Sequence, residues 1–229
     1  MRDSTALAIT ALLWLAIRLG NVYSDNMSAN DNSVNIKNDK RGYHHGDLRS
    51  ALVQAGLELL KTRSAEEVSL REIARLVGVS ATAVYRHFPD KAALLGALCD
   101  EGGRELGRLQ LESMQKSGGG RAGFDAVGRA YVRFALDNPT LFRMMMTTRQ
   151  AVDFLDMPEG RDNSALQLLR DNIASLTPAG ASPEQRRIAA LRAWSIVHGL
   201  AMLMLDNQVP TDDALIDAVI DSMSAGIAT

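Results

Sequence analysis

Three observations predict an all-α protein. The chain of 229 residues holds long stretches rich in Ala, Leu, Arg, Glu and Met, which lose little freedom in a helix. Aromatic residues make up only 5% and β-branched runs are few, so strand signals are weak. Apolar residues recur at spacings of three and four through most of the chain after Leu48, the signature of amphipathic helices. The pattern divides into an N-terminal extension over 1–40, a three-helix, helix-turn-helix module over 41–98, and a helical bundle over 99–229.

Composition narrows the function classes. Hydrophobic residues are 46% and charged residues 23%, enough for ample core in one or two domains. The net charge of −2 excludes a uniformly basic protein. From Arg41 to Lys91, eight Lys/Arg stand against six Asp/Glu, a net +2, which leaves −4 on the rest. The weak basic bias therefore sits in the module. A lone cysteine, Cys99, excludes an intramolecular disulfide and any Cys-rich metal site and fits a reducing compartment. It reads as a small buried residue or a redox sensor. No nucleophile elbow, metal-ligand set or defined carboxylate pair is present, so an enzyme is not expected, and neither is a metal or cofactor.

Residues 1–40 differ from the rest. Ala6 to Ile17 is a largely apolar run between Arg2 and Arg18, short for a membrane span and without a clean signal-peptide cleavage site. Ser24 to Lys40 is polar and Asn-rich and reads as disordered. The run is a membrane anchor or signal, an interaction helix, or, the favoured reading, no part of the working protein, with Met27 as the true start. No membrane is expected unless 6–17 is a real anchor. Arg41 to His45, RGYHH, is either a basic arm for a groove or phosphate or a plain linker.

The first module helix runs to Thr62 with Asp47 as its cap. Its stripe is Leu48, Leu52, Ala55 and Leu59, with Val53, Gly56 and Leu60 beside. The motif Val68 to Lys91 follows, VSLREIARLVGVSATAVYRHFPDK. Ser69 caps the first motif helix, with Glu72 placed for a capping box. Leu70, Ile73, Ala74 and Val77 face inward. Gly78 supplies the left-handed stop, Val79 plugs the turn, and Ser80 caps the second helix, Ala81 to Phe88. Pro89 ends it. Val84 and Phe88 point inward, which leaves Ser80, Ala81, Thr82, Tyr85, Arg86 and His87 for the outward face and flanks. Small and hydroxyl-bearing residues suit close approach to phosphates and base edges, and the Ala and Thr methyls suit a thymine methyl. Lys91 stands where a helix start disfavours a cation as a cap, so it reads as a phosphate contact.

The segment LREIARLVGVSATAVYRHFPDKAALL resembles the signature of the TetR family of bacterial repressors, nearly position for position, and the likeness is close from Gly46 to about Leu98. The resemblance implies that the second motif helix, within Ser69 to Phe88, enters the major groove of double-stranded DNA, and that Tyr85 and Lys91 hold the backbone. Carried over, the contacts are Ser69, Ser80, Thr82, Tyr85, His87 and Lys91, with Arg41 on the arm; Ala81 joins them by its position.

Asp90 begins a long helix to Met114 or Gln115. Ala92, Leu94, Leu95 and Leu98 face the module, and Gly102, Gly103 and Gly107 loosen its middle. Ser117 to Gly120 is the clearest break. Phe124, Val127, Tyr131, Phe134 and Ala135 mark a helix ending at Asn138. Pro139 opens another, in which Met144, Met145 and Met146 cannot all face one way; they are core or an adaptable pocket lining. Thr147 to Asn163 reads as loop. Leu166, Leu169, Ile173 and Leu176 mark a helix ending before Pro178. Pro183 and Glu184 start the longest C-terminal helix, with its face at Ile188, Leu191, Ala193, Trp194, Val197, His198, Ala201 and Leu205. Trp194 and His198 are core, interface or pocket wall, and Gly199 admits a close neighbour. WSIVHG resembles the Trp-His-Gly signature of one TetR C-terminal subgroup. Asp212 to Ile227 closes the chain with a stripe at Ala214, Leu215, Ala218, Val219, Ser222 and Met223.

The expected protein is a cytoplasmic, sequence-specific DNA-binding regulator, a repressor acting as a homodimer on a near-palindromic operator. The family implies dimerisation through the last two helices. It also implies release by a small apolar or amphipathic effector, for which Phe134, Met144, Met145, Trp194 and His198 are the candidate contacts.

Overall fold

The computed structural model describes residues 45–147 and 165–225. The expectations for the 1–40 extension, for Arg41, for the side chains of Asp47 and Leu166, and for most of the Thr147–Asn163 loop lie outside those residues. Nine helices and no strand are present among them: α1 His45–Leu60, α2 Leu70–Val77, α3 Ala81–His87, α4 Lys91–Lys116, α5 Gly120–Asp137, α6 Pro139–Thr147, α7 Ala165–Leu176, α8 Pro183–Leu205 and α9 Asp213–Ala225. The all-α expectation and the two-part plan are met. Helices α1 to α3 form the module, α5 to α9 form the body, and α4 belongs to both.

The local stops and starts follow the sequence. Ser69 and Ser80 adopt extended backbone and accept hydrogen bonds from the Glu72 and Ala83 amides, each at 3.2 Å. Gly78 is left-handed, at φ 77°, where a side chain would be strained. Asp90 caps α4 by accepting from the Ala93 amide at 2.7 Å. Ser182 and Gln185 complete a reciprocal capping box at the head of α8. The box expected at Ser69 is only half formed. The Glu72 carboxylate turns instead to Arg63, which donates to both its oxygens at 2.7 and 2.9 Å. This ion pair, in which one guanidinium nitrogen serves both carboxylate oxygens, binds the α1–α2 connection to α2.

Burial places each helix on the frame. In α1 the buried residues are Leu52, Val53, Gly56 and Leu60, so the inward stripe is rotated from the expected Leu48, Ala55 and Leu59, which are only half-buried. The rotation follows from Gly56, where an added Cβ would meet Leu98 of α4 at 2.8 Å; α1 turns its glycine to the closest crossing. Along α4, Leu94 and Leu98 are fully buried, Leu95 is half-buried, and Ala92 is exposed against expectation.

The glycines of α4 do not loosen it. The helix runs unbroken for 26 residues, with Gly102, Gly103 and Gly107 buried. At Gly102 an added Cβ would meet Met145 Sδ at 2.8 Å and Leu141 Cδ2 at 2.9 Å. The absent side chain lets α6 lie directly on α4. Helix α6 is apolar on nearly every side, with Leu141, Phe142, Met144, Met145 and Met146 all buried. The three methionines need not share a face, because the helix is enclosed by its neighbours.

Helix α5 buries Phe124, Val127, Tyr131, Phe134 and Ala135, as expected. It packs on α4, α8 and α9 and carries the charges that hold α9. Arg129 bonds Asp217 at 2.5 Å and pairs with Asp221, and Arg133 reaches Asp213 at 3.3 Å. In α9 the core face is Ile216, Ile220 and Met223. The expected stripe is therefore corrected: except for Met223, its residues point outward or are half-buried. In α8 the buried set is Ala190, Ala193, Trp194, Val197, Leu200, Ala201 and Met204. Ile188, expected inward, is 48% exposed, as is Leu203 at 46%. Helix α8 is long and apolar enough to cross a membrane by length and composition, but here it is one wall of a packed bundle.

Gly102→Val is expected to overfill the α4–α6 contact and to destabilise the fold by about 1–3 kcal/mol. Urea unfolding followed by circular dichroism measures this; an unchanged midpoint would show that Leu141 and Met145 move aside freely.

A candidate nucleic-acid interface and a buried cavity

The motif helices present a polar surface by anchoring their apolar residues. Val84 and Phe88 are sunk in the core at 0% and 1% exposure. Leu70, Ile73 and Ala74 do the same for α2. Phe88 has extended backbone and caps α3 by donating its amide to the Val84 carbonyl at 2.9 Å. Arg49 of α1 lies over its ring, 5.2 Å from the centroid. With those two anchors fixed, Ser80, Ala81, Thr82, Tyr85 and Arg86 are exposed, and so is Ser69 at the head of α2. The structure thus brings Ser69, Ser80, Ala81, Thr82 and Tyr85 to the surface of one module. His87 is half-buried and lies to the flank. Arg86, left out of the expected contacts, is the exposed cation of α3, and Arg71 and Arg75 of α2 are exposed as well.

Several of these groups already have partners, and the partners define what they can do. The Ser69 and Ser80 oxygens accept cap bonds, which leaves each hydroxyl its proton to donate. Lys91 Nζ donates to the Glu66 carbonyl at 2.5 Å and so ties the head of α4 to the loop before α2. The Glu66 carboxyl is held below its usual value, first by its own backbone amide, then by Ser64, with Lys91 adding. It stays ionised beside the lysine and tempers the local positive charge.

In the body, Tyr131 joins three elements. Trp194 Nε1 donates to the Tyr131 hydroxyl at 3.3 Å, and that hydroxyl lies 3.1 Å from His198 Nδ1. The phenol oxygen accepts from the indole, and the Tyr131–His198 hydrogen bond runs in whichever direction the imidazole tautomer sets. The Tyr131 ring also meets Phe142 edge-on, at 5.5 Å between centroids. Trp194 and His198 therefore form part of a buried polar chain across α5 and α8. Gly199, expected to admit a neighbour, faces open space within the chain.

A cavity of about 40 Å³ lies between α4, α5, α7, α8 and α9, room for a water or two. Of the five expected pocket residues only Trp194 lines it. Phe134 instead borders a groove of about 300 Å³ between α1, α4, α5 and α6. Met145 is fully buried against Gly102, Met144 is core, and His198 stands behind Tyr131. For Met145 the reason is helix rotation: α6 turns it to Gly102 of α4 rather than toward the cavity. Gln110, missed in the sequence, lines the cavity and is 4% exposed. Its signal was available: Leu94, Leu98, Gly102 and Leu106 recur every four residues, and Gln110 is the next in that buried row. Among the described residues no group of three or more His, Cys, Asp or Glu could hold a metal.

Residues 52–98 match the family model for bacterial regulatory proteins of the tetR family, and residues 124–226 match that of the tetracyclin repressor-like C-terminal domain. The chain belongs to the TetR family. Solved structures agree. A Rhodococcus sp. RHA1 protein of unknown function shares 27% identity at a TM-score of 0.65, over 82% of this chain and 97% of that one. A tetR-family transcriptional regulator from Streptomyces coelicolor shares 23% at 0.58, over 80% and 81%. A TetR variant from Acinetobacter baumannii AYE, solved in complex with minocycline, shares 21% at 0.54, over 81% and 96%. The helix-turn-helix module and helical body of this TetR-family chain are thus the shared fold, and α2 and α3 are its helix-turn-helix.

Tyr131→Phe is expected to leave the Trp194 N–H buried without an acceptor and to cost about 1–3 kcal/mol in unfolding free energy. Chemical denaturation measures it; a loss under a few tenths would mean that a water replaces the hydroxyl.

Proposed function

We propose that the protein is a ligand-responsive repressor that binds a near-palindromic operator as a homodimer. The observation that carries this is the α2–α3 motif itself, with its apolar side locked by Val84 and Phe88 and its small, hydroxyl-bearing side exposed. Helix α3 has only seven residues, so its N-terminal turn and Tyr85 do the work in a major groove. Thr82 and Ala81 meet base edges and methyls. Ser69, Ser80, Tyr85 and Lys91 meet phosphates, and Arg86 adds a cation the sequence reading left out.

The outer faces of α8 and α9 support a dimer. Ile188 and Leu203 are exposed on α8, and Leu215 and Val219 are only half-buried on α9, although both helices already have a filled inner face. Two copies related by a two-fold axis would cover these faces in a four-helix bundle. Gly199, open in the single chain, would give that partner a close approach. The same axis sets two α3 helices about 34–36 Å apart, one turn of DNA.

Release by an effector is argued from the body, which far exceeds what DNA binding requires, and from the minocycline complex of the Acinetobacter protein. The ligand would favour a state whose motif spacing no longer fits two successive grooves. A cytoplasmic location follows from this role, and the Trp-His-Gly subgroup is the natural place for the C-terminal domain.

On its own upstream DNA the protein should bind saturably, with affinity falling linearly in log salt. Lys91→Ala should weaken specific and random DNA alike and lower the salt slope by about one. Fluorescence anisotropy measures both; no saturable binding at low salt rejects the proposal. Leu203→Glu should turn the dimer into a folded monomer in sedimentation, and an unchanged mass would place the interface elsewhere.

A further inference from the structure

We infer that Gln110 is the polar anchor of the effector site, and that the site takes a neutral, compact, largely apolar molecule bearing one hydrogen-bond donor. This rests on the effector-responsive reading above. Gln110 Nε2 donates to the Val127 carbonyl at 3.4 Å. That carbonyl can only accept, so the amide orientation is set and Oε1 is the atom left over. Oε1 is buried and has no hydrogen-bond partner among the described residues. Buried side-chain acceptors are nearly always satisfied, and a methionine or leucine would fill the same row of α4 without that cost. A glutamine here is therefore an acceptor held ready for a donor that the described residues do not supply.

The surroundings select the ligand. The cavity wall is otherwise apolar, with Phe124, Val197 and Met223 prominent, and no charged side chain lines it among the described residues. The other two polar groups at the wall, the Trp194 N–H and the Tyr131 hydroxyl, bond each other. A carboxylate or phosphate would lose its hydration with no cation to replace it. An alcohol, phenol or amide N–H loses one water and gains Oε1. The existing volume of about 40 Å³ accommodates only the first atoms of such a molecule, so Leu169 and Met223, long and unbranched at Cβ, swing aside as it enters. A lone water is a poor occupant, because it needs two to four polar partners.

The position also explains how occupancy would reach the DNA. Gln110 and Lys91 are on the same continuous helix, roughly 28 Å apart at 1.5 Å per residue. The opposite cavity wall belongs to α8 and α9. A ligand wedged between them pushes the α4 lever away from the helices proposed to hold the dimer.

The test compares phenol with fluorobenzene, which match in size but differ in the donor, by isothermal titration calorimetry on the full-length protein. Phenol should bind on the order of tenfold tighter or more. Gln110→Met should bring the two affinities within about twofold while the melting temperature holds or rises; Gln110→Leu repeats the test should the methionine variant fold poorly. Equal affinities for wild type, no phenol binding up to its solubility, or a preference that survives both substitutions would each overturn the inference. Anisotropy on the upstream DNA without either compound is run in parallel. Loss of DNA binding there refutes the regulator reading, whereas the phenol preference alone judges Gln110.

Discussion

The architecture depends on how closely other helices can approach α4. The tightest glycine contacts on α4 are those of Gly56 of α1 against Leu98 and of Gly102 of α4 against Leu141 and Met145. Close packing of this kind gains dispersion over a wide area and leaves no slack. The first crossing fixes the module to the N-terminal half of α4, and the second fixes the body to its middle. Because α6 also touches α1, module and body are joined by packing as well as by the shared helix. A displacement in the body cannot be absorbed at a loose joint.

The motif was the most legible part of the chain. Caps, the left-handed Gly78 and the Pro89 stop each act over a few residues, and local chemistry of that kind is written directly in the sequence. The body was legible as helices but not as faces. The spacing in α8 and α9 is apolar on more than one side, so periodicity does not say which side meets the core; Ile188, Ala214, Ala218 and Ser222 are outward, and Leu215 and Val219 half-buried. The pocket was the least legible. Met144 and Met145 suggest adaptability by their chemistry, but both are buried, and the absent side chain at Gly102 lets Met145 lie on α4. Gln110 is an ordinary residue type, and its only signal is its place in an otherwise apolar row.

Charge has a different part in each half. In the body, Arg129 and Arg133 of α5 clasp the aspartates of α9, and Arg143 of α6 pairs with Asp206 at the end of α8. These pairs are partly exposed and contribute little stability singly. Their use is angular: they choose the face α9 turns inward, a choice its apolar periphery leaves open. In the module, charges are spread thinly around the exposed hydroxyls, with Arg63 and Glu72 committed to each other.

The tether from Lys91 to the Glu66 carbonyl bears on how firmly a DNA-binding module can hold a phosphate. A free lysine gives up roughly 1.5–2 kcal/mol of rotamer entropy when it is immobilised. Lys91 has already surrendered much of that freedom on folding, since its ammonium is held against a loop and its stem leaves a packed helix start. Engaging a phosphate then requires a swing between two acceptors rather than the ordering of a loose chain. The penalty is transferred from complex formation to the folding of the module, where the whole core shares it.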